Sequence, residues 1–161
     1  MLVMGTYPVS KARSGPHSRE SYGAASAERI ALSDQICDAL QLVEHLQDVG
    51  EDFARGRVYL PREDMARFGC AEHDLAASTV GPALRELLAF EASRARTLLD
   101  RGAPLAKSLA PRPRLAVGGF VAGGRAALDA LDHARYEVLG ARPRPTRLAF
   151  ARRWVQAVTG R

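Results

Sequence analysis

Between Leu32 and Phe53 the sequence separates into two unlike sides at helical spacing, and this restricts the fold more than any other stretch. At about 100° per residue, Leu32, Ile36, Ala39, Leu42, Val43, Leu46, Val49 and Phe53 fall on one side of a helix. That side predicts a core contact. Gln41, Glu44, Asp48 and Asp52 fall within a narrow arc on the other side. The three carboxylates are spaced so that each lies one turn from the last. The rest of the chain suits the same architecture. Ala, Leu, Arg and Glu dominate, and β-branched and aromatic residues are sparse, which predicts an all-α fold. A chain of 161 residues is long enough for one domain with its own core.

Like charges stacked at this spacing repel by about 0.2–0.5 kcal/mol per pair. No lysine or arginine lies between Asp34 and Phe53 to offset that. A divalent cation would offset it, and oxygen-only ligands on a helix suit a hard ion such as Mg²⁺. Arg55 and Arg57 follow directly and could clamp an anion such as diphosphate. Two readings stay open on spacing alone: a solvated acidic face with a basic turn after it, or a metal–diphosphate site.

The stretch QLVEHLQDVGEDFARGRVYLP, residues 41–61, resembles the second aspartate-rich motif of the squalene/phytoene synthase family, LQLxNxxxDVxEDxxxGRxYLP. Gln41, Asp48, Glu51, Asp52, Gly56, Arg57, Tyr59, Leu60 and Pro61 match it. ALSDQICDALQLVEHLQDVGED looks most like the bacterial hopanoid-pathway branch, which includes the enzyme converting presqualene diphosphate to hydroxysqualene. The resemblance implies the C-terminal part of the isoprenoid-synthase helical bundle. It implies a transferase of squalene or hopanoid biosynthesis acting on farnesyl or presqualene diphosphate with Mg²⁺. By the same resemblance Asp48 and Asp52 are Mg²⁺ ligands bridging to diphosphate. Gln41 lines the reaction cavity, and Arg57 and Tyr59 support the diphosphate end. Glu44 stands where the family has Asn and is a third candidate ligand. Tyr136 matches a family tyrosine in a Y-x-x-L context, facing the cavity or the diphosphate, although a satisfied core tyrosine is the favoured reading of the residue itself.

Residues 1–21 are rich in Ser, Gly, Pro and basic residues without periodicity, and are expected to be disordered or out-of-family. Residues 22–161 are expected to be a partial family domain. A complete family member is much longer and carries a first aspartate-rich motif on a facing helix, which this chain lacks. A truncated or frameshifted gene is the expected origin. Enzyme activity of the isolated chain therefore stays open, and two alternatives stand beside it: a non-catalytic helical remnant that binds a partner, and a basic helical nucleic-acid binder. The net charge of +5 suits any anionic partner and does not choose among them. The arginines are diluted by acids and lack interleaved aromatics, so no nucleic-acid partner is expected. The expected partners are a prenyl diphosphate and, through an unpartnered apolar face, a second copy of the chain.

Further helices are expected from Ala27 to Ala54 behind a Ser26 cap, from Pro61 to Phe68, from Pro82 to Asp100, from Pro113 to Leu139 and from Thr146 to Val158. Glu63 and Asp64 are read as first-turn capping and solubility charges. Gly118, Gly119, Gly123 and Gly124 predict close approach of a neighbouring helix or a bulky ligand. By the resemblance this glycine-bearing helix walls a prenyl pocket. The basic last helix suits an anionic membrane surface. Cys37 and Cys70 exclude a disulfide framework, and no apolar run reaches the length of a membrane span. The expected location is the cytoplasm, peripheral at the inner face of the membrane.

Overall fold

The computed structural model describes residues 19–140 and 142–159. Most of the expected irregular N-terminus, residues 1–18, lies outside them. The described residues are all-α: α1 Arg19–Gln47, α2 Val49–Ala54, α3 Arg62–Phe68, α4 Pro82–Gly102, α5 Pro104–Lys107, α6 Pro111–His133 and α7 Arg147–Thr159, with a 3₁₀ turn at Glu72–Ala76.

The first helix begins at Arg19, upstream of the expected Ser26 cap. Ala24, Ala25 and Ala27 surround that serine, and strong helix formers outweigh one weak capping residue. The expected single helix to Ala54 instead bends at Asp48, whose φ is −104° and ψ 8°. The ladder survives the bend: the Asp48 amide donates to the Glu44 carbonyl at 3.0 Å, and the Asp52 amide to the Asp48 carbonyl at 2.7 Å. Pressure on this corner comes from the returning chain. A Cβ at Gly50 would lie 2.9 Å from the carbonyl oxygens of both Val138 and Leu139.

The core is one continuous layer in which α1 packs along α4, with α6 laid against both. Ile36, Ala39, Val43 and Leu46 meet Leu84, Leu87, Leu88, Ala95 and Leu99 there. Burying each of the leucines contributes about 1.5–3 kcal/mol. The helices α1 and α4 approach closely at Gly102, where a Cβ would stand 2.5 Å from Ile36 Cγ1 and 2.8 Å from the Leu32 carbonyl.

Helix approach accounts for Gly119, Gly123 and Gly124 of α6. Gly124 lies under Leu99 and Leu40, whose methyls would be 2.9 Å and 3.0 Å from an added Cβ. On another side, Trp154 and Phe150 of α7 cover Gly119 and Gly123 at 3.7 Å and 3.6 Å.

The helix α6 stops at His133, short of the expected Leu139. Arg135 and Tyr136 adopt φ of 50° and 57°, left-handed values unusual without glycine. The Tyr136 amide donates to the Leu131 carbonyl at 2.8 Å, closing the helix end with the wide bond of a Schellman-type cap. The chain is thereby turned back toward α2.

Arginines of α4 join helices. Arg96 Nη1 meets Asp129 Oδ1 of α6 at 3.1 Å, and its other terminal nitrogen meets Asp132. Arg94 meets both Glu91 Oε1 at 3.1 Å and Asp64 Oδ2 of α3 at 3.2 Å. Asp64 is buried, so it is a packing anchor and not the solvated capping charge its position suggested. Glu91 is only 1% exposed. Burial, reinforced by Asp64, pushes its carboxyl above the usual range against the opposing charge of Arg94.

Candidate functional site

The acidic row runs from open solvent into the fold. Glu44 is exposed, Asp48 keeps about a quarter of its side chain exposed, at 25%, and Asp52 is buried at 9%. The row therefore does not lie wholly on a solvated face as its spacing suggested. The turn after α2 folds over Asp52: the amides of Arg55 and Arg57 donate to its backbone carbonyl at 3.0 Å and 2.9 Å. The segment Arg57–Leu60, with His45 and Val49, closes a crevice of about 10 Å³ beside the Asp52 side chain. Tyr59 stacks on His45, ring centres 4.2 Å apart and planes 20° off parallel.

Among the described residues no lysine or arginine pairs with the side chain of Glu44 or of Asp52. A buried carboxylate without a cationic partner is costly unless it holds a metal. Asp48 has one basic neighbour, Arg142, whose Nε lies 2.8 Å from Oδ1. That oxygen is buried and accepts no aligned hydrogen bond, so the contact is chiefly electrostatic. The donors are thus oxygen-only, under-neutralised and one turn apart, which fits a hard cation that completes its shell with water and phosphate oxygens. Among the described residues no three acidic, histidine or cysteine side chains gather closely enough to cage an ion by themselves.

The remaining candidates are divided. Gln41 is exposed on α1, and Arg57 and Tyr59 are exposed beside Asp52. Tyr136 belongs to a different neighbourhood. Its hydroxyl donates to Asp132, a carboxylate it shares with Arg96. Burial first, then Asp132, pushes the phenol up to about 12, so it remains a proton donor throughout the neutral range.

Three contacts were missed from the sequence. Arg142 reaches Asp48, His45 supports Tyr59, and Gln47 Nε2 donates to the Pro143 carbonyl at 2.6 Å. The prolines of the Arg142–Pro145 segment signal an extended run, but not where it returns.

The sequence profile of the squalene/phytoene synthase family matches residues 13–149. A phytoene synthase of Arthrospira platensis is 38% identical over 146 residues, covering 88% of this chain and 44% of that protein. A hydroxysqualene synthase of Rhodopseudomonas palustris is 41% identical over 78 residues, covering 48% of this chain and 27% of that protein. Among solved structures, squalene synthase HpnC from Alicyclobacillus acidocaldarius superposes with a TM-score of 0.66 at 37% identity, over 68% of this chain and 42% of that one. A dehydrosqualene synthase crystallised with a ligand superposes with a TM-score of 0.76 over 83% of this chain and 47% of that one. At 24% identity that second likeness speaks for the fold alone. The chain spans less than half the length of each of these relatives.

Proposed function

The chain belongs to the squalene/phytoene synthase family, and on that premise we propose that it supplies the second acidic wall of a site for farnesyl or presqualene diphosphate in squalene or hopanoid biosynthesis. One observation carries this reading: Asp52 is buried with no basic partner among the described residues, one turn from the under-neutralised Asp48. Asp48 and Asp52 hold Mg²⁺ in this reading, with Glu44 as a further carboxylate at the solvent end. When bound, the ion supplies charge neutralisation for a departing diphosphate. Arg57 presents a planar guanidinium that binds phosphate oxygens by paired hydrogen bonds. Tyr59, oriented by its stack on His45, offers a hydroxyl to the same group. Gln41, two turns before Asp48, faces the prenyl portion. Tyr136 orders the far corner through Asp132 and donates its proton to a substrate oxygen only if that contact opens.

The surface of α7 supports a peripheral position at the inner, cytoplasmic face of a membrane. Leu148 of this basic helix is 72% exposed, and no helix among the described residues is long and apolar enough to cross a membrane. Ile30 and Phe120, 51% and 60% exposed, are the apolar residues through which a second copy would be met. Arg85, Arg94 and Arg96 are engaged with their own chain, which supports a surface not built for nucleic acid.

The test is Mg²⁺-dependent release of diphosphate from farnesyl diphosphate, with calorimetric binding of a thiodiphosphate analogue in parallel. Wild-type levels of both in Asp48→Asn and Asp52→Asn would refute the assignment. A second reading, a protein that binds Mg²⁺–diphosphate and turns nothing over, is favoured by the lack of a three-ligand cluster among the described residues. Binding that needs Asp48 and Asp52, without product, is its signature.

A further inference from the structure

Between α6, α7 and the segment that joins them lies a groove of about 780 Å³, whose lining includes none of Glu44, Asp48 and Asp52. Its room comes from small residues: Ala126, Ala130 and Ala149 form much of its floor. Its charge comes from Arg144, Arg152 and Arg153, against which Asp129 is the one carboxylate lining it. Asp129 is already neutralised. Its Oδ1 faces Arg96 at 3.1 Å and its Oδ2 faces Arg153 Nε at 2.7 Å. Burial alone would raise this carboxyl, but the hydrogen bonds from Arg153 and Arg96 outweigh it and hold it below the usual range. Arg144 and Arg152 are exposed, and neither has a carboxylate partner among the described residues. His133 also lines the groove, its Nδ1 donating to the Asp129 carbonyl at 2.6 Å. Thr146 adds a hydroxyl at the start of α7.

We propose that this groove is a binding site for a phosphoryl group, held by Arg144 and Arg152 and independent of any metal. Two sources carry that chemistry: a free phosphorylated small molecule and the headgroup of an anionic lipid. The groove is larger than phosphate alone requires, so the phosphoryl group is one end of a bigger ligand. The lipid source draws on Leu148 of the same helix, 72% exposed.

The experiment uses the full chain in EDTA, which silences diphosphate binding through Asp48 and Asp52. Inorganic diphosphate is titrated by calorimetry, and vesicles of phosphatidylglycerol or phosphatidylcholine are tested by co-sedimentation. Saturable diphosphate binding that weakens about tenfold or more in Arg144→Gln/Arg152→Gln supports the soluble source. Co-sedimentation with phosphatidylglycerol alone, lost in the same variant, supports the lipid source. Neither arginine makes an ion pair among the described residues, so the variant is expected to melt like wild type. Ala130→Leu fills the groove with all arginines kept, and loss of binding is expected there too. No binding to either probe, or binding that both variants retain, overturns the site.

Discussion

Asp129 and Asp132 on α6 and the row Glu44, Asp48, Asp52 on α1 and α2 are built from the same side chains at near-helical spacing, yet their surroundings differ. On α6 the acids are met by Arg96 from α4 and Arg153 from α7, and Tyr136 adds a hydrogen bond. Within the row Glu44, Asp48, Asp52 a single arginine, Arg142, reaches a single acid among the described residues. The first set is a fastener between helices. The second leaves negative charge at a corner that the fold could have neutralised. Arginines arriving from elsewhere make the difference, and spacing within one helix does not reveal them.

The sharpest way to break this contrast is to remove the charges one set at a time. Asp48→Asn and Asp52→Asn are expected to cost about a hundredfold or more in Mg²⁺-dependent turnover, or in Mg²⁺-dependent analogue binding. Asp52→Asn should leave the urea midpoint unchanged or raised, because an unpaired buried charge is removed. A fall in stability like that of a structural ion pair would erase the distinction. Arg96→Leu is the counterpart. It removes the cation shared by Asp129 and Asp132, leaving Arg153 on the first and the Tyr136 hydroxyl on the second, and is expected to lower stability by about 1–3 kcal/mol, read from the urea midpoint at constant slope. Metal-dependent binding should hardly change.

Titration separates the paired acids further. Glu91 is held above the usual range, so the native state keeps a proton that the unfolded chain releases. Its effect is that stability falls as pH rises from the usual carboxylate range to the raised native value. Asp129 is held below the usual range, so its contribution is present above that range and is lost as pH falls beneath it. Glu91→Gln should flatten the decline on the first side, and Asp129→Asn the decline on the second, in urea midpoints taken across the acidic range. The smallest effect is expected at exposed Glu44. Changing it to the family's Asn relieves like-charge repulsion of about 0.2–0.5 kcal/mol, a slight rise in melting temperature.

Much of the helical layout was legible because periodicity reports which side of a helix is covered. Ile36, Ala39, Val43 and Leu46 are all buried as their spacing required. The motif between Gln41 and Pro61 was legible as a pattern, and its family is the one the chain belongs to. Helix ends were less legible. Ser26 is no cap in an alanine-rich run, and α6 ends on two left-handed residues that are not glycine. The fates of Asp52 and Asp64 were hidden because burial of a carboxylate depends on what folds over it. For Asp52 that is the Arg57–Leu60 turn, and for Asp64 it is Arg94, thirty residues on.

The reversal at Arg135 and Tyr136 carries a consequence for the order of assembly. It sends the chain back so that Pro143 accepts from Gln47 across 96 residues, Arg142 meets Asp48, and the carbonyls of Val138 and Leu139 close on Gly50. Contacts of such long loops form late, because closing the loop costs entropy before the contacts return any stability. On a growing chain α1 and α4 can pair long before residue 142 has been made. The acidic corner is then finished only after residues 138–143 have been made. Through that interval Asp48 stands without its arginine, open to whatever cation is at hand.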